Sequence, residues 1–113
     1  MKTILIVDDH PDIVFTIELL LKKNNYNVLT ALSAEECVKK LKTNKPNLIL
    51  IDGLAAREKI LDAAAKVRGL RIAYLITDEA EKENFKLYSN VAGFINEPSD
   101  IKKFLEKIKE LLK

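Results

Sequence analysis

Cysteine occurs once in this chain, as Cys37. No internal disulfide can form, so a reducing compartment, the cytoplasm, is expected. Cys37 itself reads as a small core residue of a helix rather than a reactive thiol. Long apolar runs are missing too. None approaches the roughly 18 residues that cross a bilayer, which argues against a membrane protein. Met1-Lys2 leads directly into a strand-like run, without the basic region and cleavage site of a signal peptide. Charge of one sign is not in excess: 19 basic residues face 17 acidic ones, for a net charge of +2. The C-terminal lysines alternate with glutamates as on a solvated helix face. Without a clustered basic footprint, direct nucleic-acid binding is not expected. Proline and glycine number three each, and no repeat, linker or low-complexity stretch divides the chain.

What is present is the composition of one globular domain. The chain has 113 residues, of which 48% are hydrophobic and 32% charged. Residues 1–113 are expected to form a single domain with no output domain attached.

The chain is organised around Asn47-Leu48-Ile49-Leu50-Ile51-Asp52-Gly53, an apolar run between Pro46 and Gly53 that ends in a carboxylate. Such a run reads as a strand buried on both faces. An earlier strand, 3–7, ends in Asp8-Asp9. Pro11 suits the first turn of a helix. That helix carries Ile13, Val14, Ile17, Leu20 and Leu21 at helical spacing and stops near Asn24-Asn25. A second strand is predicted at 26–30. Ser33 with Glu36 forms a capping box that opens a helix carrying Cys37, Val38 and Leu41. After the central strand at 48–51, the pattern predicts a helix over 54–68 ended by Gly69, a strand at 71–76, a polar helix at 79–89, a strand at 91–95 and an amphipathic helix at 101–112. Strict alternation of strands and helices predicts an α/β fold with a five-stranded parallel sheet and helices on both faces. In such sheets the functional crevice lies beyond the carboxyl ends of the strands, where Asp8, Asp9 and Asp52 fall.

Four motifs in this order resemble the receiver domain of two-component response regulators, a CheY-like, flavodoxin-like (βα)5 family. Ile4-Leu5-Ile6-Val7-Asp8-Asp9-His10 matches the first strand and acidic pair. Leu48-Ile49-Leu50-Ile51-Asp52 matches the strand that presents the phospho-accepting aspartate. Thr77 matches the switch hydroxyl, and Gly93-Phe94-Ile95-Asn96-Glu97-Pro98 matches the fifth strand with its switch aromatic and the following proline. The resemblance implies phosphoryl transfer onto Asp52 from a histidine kinase or phosphotransfer protein, with Mg2+ as cofactor. It further implies direct metal ligation by Asp9, Asp52 and the backbone carbonyl of Leu54, with Asp8 holding the metal through water. Thr77 would bond a phosphoryl oxygen, and Phe94 would repack and alter the surface read by a downstream protein. A monomer or weak dimer is expected.

The family places a lysine before that proline, and this chain has Glu97. A carboxylate there adds negative charge to an acidic site, as does Asp78 after the threonine, and like charges within about 4–6 Å resist ionising together. Arg57 or Lys59 could supply a substitute cation. The loop after Asp52, Gly53-Leu54-Ala55-Ala56-Arg57, also lacks the family's usual methionine-proline pair. Two functions therefore stand side by side: a stand-alone phosphoacceptor signalling protein, whose only chemistry is self-phosphorylation and self-dephosphorylation at Asp52, and a pseudo-receiver that binds proteins independently of phosphorylation. Each aspartate alone could be an ordinary strand-end cap. His10 reads as a loop residue at the pocket rim. A phosphatase of the haloacid dehalogenase type is excluded because no aspartate lies two residues after Asp52 or Asp8. A nucleotide-binding flavodoxin-like protein does not fit either, because no strand is followed by a glycine- or hydroxyl-rich loop.

Overall fold

The computed structural model describes residues 1–52, 57–84 and 91–113. Five strands form one sheet: β1 (Thr3–Val7), β2 (Asn27–Ala31), β3 (Leu48–Asp52), β4 (Arg71–Ile76) and β5 (Val91–Asn96). Their order is β2-β1-β3-β4-β5, and every pairing is parallel. The helices are α1 (Pro11–Lys23), α2 (Ala34–Thr43), α3 (Arg57–Ala65) and α4 (Ile101–Leu111). The α/β doubly wound architecture expected from the alternating pattern is the one observed.

Strands buried on both faces need no polar alternation, which explains the unbroken apolar runs. Successive residues of β1 serve two cores. Ile4 and Ile6 pack with Leu48, Leu50, Ala73 and the α1 and α4 residues Ile17, Leu21, Phe104 and Ile108. Leu5 and Val7 face the other way, with Ile49, Ile51, Tyr74 and the α2 and α3 residues Cys37, Leu41, Ile60 and Ala64. Cys37 is fully buried, and burial pushes its thiol up to about 11, so it is a core residue and not a nucleophile.

The helix ends follow local chemistry. Pro11 occupies the first turn of α1 with His10 as its N-cap. At the other end, Asn25 takes a left-handed φ of 68°. The Tyr26 N–H then reaches the Leu21 carbonyl at 3.2 Å and the Asn25 N–H reaches Lys22 at 3.2 Å, the paired bonds of a Schellman motif. This motif uses Tyr26, so β2 begins at Asn27 rather than at residue 26. Ser33 caps α2 by accepting from the Glu36 N–H at 3.1 Å, and Glu36 Oε2 reaches back to the Leu32 N–H at 2.9 Å. That is one residue earlier than a standard capping box requires.

Two further expectations change. α3 ends at Ala65, not 68. Lys66 and Val67 donate to Ala63 and Ala64 three residues back, so the chain tightens into turns before Gly69 adopts its φ of 78°. The start of that helix at 54 lies outside the described residues. The polar segment after β4 is a 3₁₀ helix over Glu79–Asn84, opened by Asp78 Oδ1 accepting from the Ala80 N–H at 3.0 Å. A segment this polar has no apolar stripe to bury, and packing is what sustains most α-helices. Its expected continuation to 89 lies outside the described residues. In α4, Asp100 is the N-cap. Phe104, Ile108 and Leu111 are buried, whereas Ile101 is exposed and stands off the core. Among the described residues, no helix is long and apolar enough to cross a membrane.

Candidate functional site

The strand order reverses between β1 and β3, since the chain winds outward to β2 and then back across β1 to β3. That switch point opens the crevice in which doubly wound folds bind ligands. Both flanking strands end there in acid. Val7 lies opposite Ile51 in the parallel register, so the next residues, Asp8 and Asp52, stand side by side at the strand ends.

Asp8 is 2% exposed and is the one buried charged residue among those described. Its Oδ1 accepts from the His10 backbone N–H at 2.9 Å and from His10 Nδ1 at 2.8 Å. Its Oδ2 is buried without a hydrogen-bond partner. Asp9 is exposed, and its Oδ1 lies 3.0 Å from the same ring nitrogen. Asp52 is partly buried, with Oδ2 3.6 Å from Nδ1, inside ion-pair range but too long for a good hydrogen bond. Asp8, Asp9, His10 and Asp52 each offer a donor atom within 4.8 Å of the others, so the group could hold a metal ion.

His10 thus joins the cluster from the pocket rim, where its ring stays 62% exposed. The sequence held a signal for this. Pro11 at the first helical position makes His10 the N-cap, and an N-cap immediately after a strand end sits over the sheet edge. Because carboxylates accept and cannot donate, Nδ1 carries a proton here.

The charges shift one another. Asp52 is pushed up to about 6, first by burial and then by the neighbouring Asp8 charge and its hydrogen-bonding interaction, with Asp9 adding and His10 opposing. His10 is raised above its usual 6.5, mainly by its hydrogen bond to Asp8 and by the charges of Asp8 and Asp9. A raised imidazole favours the folded state below 6.5, and that contribution is lost as pH rises through the folded value. NMR titration of the His10 ring in metal-free protein is expected to give a midpoint above 6.5, falling in Asp8→Asn. A midpoint at or below 6.5 would mean that the ring does not sit among the carboxylates in solution.

The other expected site residues lie on and just after β4 and β5. Leu75 is the register partner of Asp52, so Thr77 follows two residues beyond it at the end of β4. Phe94 on β5 is half-buried, its ring 5.8 Å from Tyr74 and tilted 37° to it. Lys82 Nζ lies 5.5 Å from the Phe94 ring centre. Glu97 is not one of the four clustered donors. It lines a separate surface cavity of about 280 Å³ with Lys82, Phe94, Lys103 and Lys107, and its backbone N–H donates to Ile76 at 2.9 Å. Asp78 is occupied in opening the 3₁₀ segment. Leu54 and the side chain of Arg57 lie outside the described residues, and Lys59 is exposed on α3.

The family model described as the response regulator receiver domain matches residues 4–109. The chain belongs to this family. As a receiver domain it is 33% identical over 75 residues to the alkaline phosphatase synthesis transcriptional regulatory protein PhoP of Bacillus subtilis, covering 66% of this chain and 31% of that protein. It is 28% identical to the response regulator ArlR of Staphylococcus aureus over 120 residues, covering 100% of this chain and 53% of ArlR. The chain thus spans roughly a third to a half of these curated relatives. Among solved structures, a CheY-like receiver domain protein from Methanospirillum hungatei superimposes with a TM-score of 0.83 at 29% identity, covering 99% of this receiver domain and 94% of that chain. The response regulator TrrA from Thermotoga maritima, solved in complex with Mg2+ and BeF, gives a TM-score of 0.82 at 24% identity over 98% of this chain and 99% of its own, a likeness of fold.

Proposed function

We propose that this receiver domain is a phosphoacceptor in a two-component pathway, taking a phosphoryl group onto Asp52 from a histidine kinase or phosphotransfer protein. The observation that carries the reading is the parallel register setting Asp8 beside Asp52 at the switch point. An acidic cluster with a buried carboxylate oxygen lacking any partner fits a divalent cation, because such an oxygen is costly unless something satisfies it. Asp9 and Asp52 would hold Mg2+ directly and Asp8 through water. When bound, the ion neutralises charge on the carboxylates and the incoming phosphoryl oxygens.

Asp52, pushed up to about 6, is mostly ionised at neutral pH and can act as the nucleophile. Its oxygen forms a bond to phosphorus as the phosphorus–nitrogen bond of the donor phosphohistidine breaks. The donor imidazole leaves with the electron pair. Attack by water on the phosphorus later returns the carboxylate and releases phosphate. The Thr77 hydroxyl donates to a phosphoryl oxygen and draws its loop toward Asp52. Phe94 then changes its packing, altering the β4–β5 face that a downstream protein reads. We assign residues 1–113 to one receiver unit acting in the cytoplasm and signalling by protein contact.

Glu97, standing where the family has lysine, favours a second reading in which the fold binds partners without phosphorylation. Beryllofluoride separates the two. With Mg2+ present, it is expected to raise Tm in wild type by several degrees through ligand linkage, with a bound fluorine signal in the NMR spectrum, and to do neither in Asp52→Asn. No shift and no bound fluorine in wild type would favour the phosphorylation-independent module.

A further inference from the structure

We propose that the His10 imidazole is itself a metal ligand in the acidic pocket, through Nδ1 beside Asp9 and Asp52, giving a mixed nitrogen–oxygen site that takes a borderline divalent cation such as Co2+ in a His10-dependent manner. The proposal rests on reading the pocket as a metal site and adds a donor and a metal preference to it.

The geometry supplies the reason. One ring nitrogen lies 2.8, 3.0 and 3.6 Å from oxygens of Asp8, Asp9 and Asp52. No other described side chain joins these three carboxylates in the donor cluster. The position is preorganised: Pro11 fixes the following turn, and the His10 N–H is anchored on Asp8 Oδ1 at 2.9 Å. The ring is still 62% exposed, so a cation can enter from solvent. The buried, unpartnered Oδ2 of Asp8 is an independent sign that the pocket is completed by something positively charged or hydrogen-bonding.

Donor chemistry then decides which ion. Carboxylate and water oxygens suit Mg2+, whereas imidazole nitrogen favours Co2+, Ni2+ and Zn2+. A cation at Nδ1 replaces the proton now shared with the carboxylates, and that proton leaves to solvent. With the ring rotated outward, the same pocket offers oxygens alone, so Mg2+ does not depend on His10.

Calorimetric titration of the full chain with CoCl2 and with MgCl2, on wild type and His10→Ala, tests this, with the visible absorption of bound Co2+ as a second readout. His10 is exposed enough for the variant to fold. The expected result is a loss of about tenfold or more in Co2+ affinity and a changed Co2+ spectrum in the variant, while Mg2+ affinity holds or rises. Equal Co2+ affinity and an unchanged spectrum in the two proteins, with Mg2+ still bound, would overturn the role of His10 alone. Failure of either protein to bind either ion would overturn the metal pocket itself and this inference with it.

Discussion

Asp52→Asn is expected to raise the stability of the metal-free protein while removing the proposed phosphoryl acceptor. The carboxyl of Asp52 is pushed from 3.8 to about 6 by burial and by Asp8. Between those values the folded state keeps a proton that the unfolded chain has lost. Stability therefore falls as pH rises through the window, and the full penalty stands above pH 6. About two pKa units correspond to about 3 kcal/mol. Because the side chain is a quarter exposed, solvent screening reduces the expected gain to about 1–2 kcal/mol. At pH 7.5 that is a rise in Tm of roughly 3–8 °C. The advantage shrinks below pH 6 and vanishes only below about pH 3, where Asp52 is protonated in both states. Thermal melts across this range check it. A variant no more stable than wild type at pH 7.5 would mean that Asp8 and Asp52 do not crowd each other in solution.

The opposite sign is expected at the residue two positions earlier. Leu50 is fully buried in the central strand, packed among Ile6, Ala73 and residues of α1 and α4. Leu50→Ala removes that packing where strands on both sides limit relaxation, and the cost is about 3–5 kcal/mol. Against a typical domain stability of about 5–15 kcal/mol, this lowers Tm by more than about 10 °C. Leu19→Ala on the exposed side of α1 is the control, expected to cost less than about 1 kcal/mol. Chemical denaturation of the three proteins measures the difference. A similar small loss in both variants would place Leu50 outside the core.

Much of this was legible in the sequence because both signals are local. Apolar runs ending in Asp8 and Asp52 marked strands and their functional ends at once. Pro11 and Ser33 marked helix starts. The exact end of α3 was not legible: Val67 continues the helical apolar spacing, but the chain tightens into turns after Ala65. The 3₁₀ geometry of Glu79–Asn84 was hidden for a similar reason, since polar residues can start a helix that packing does not then sustain. At the site, the three aspartates were readable from strand ends. The place of His10 depended on how an N-cap folds back over the sheet edge, and the position of Glu97 on a separate cavity depended on the path after β5. Neither is a matter of spacing.

Intact mass after incubation with acetyl phosphate and Mg2+ tests the central claim most directly. Wild type is expected to gain one phosphoryl group, labile to base as an acyl phosphate, and Asp52→Asn to gain none. An unmodified wild type, under conditions that label an ordinary receiver domain, would contradict the phosphoacceptor reading. In that case labelling restored by Glu97→Lys would assign the silencing to that one position.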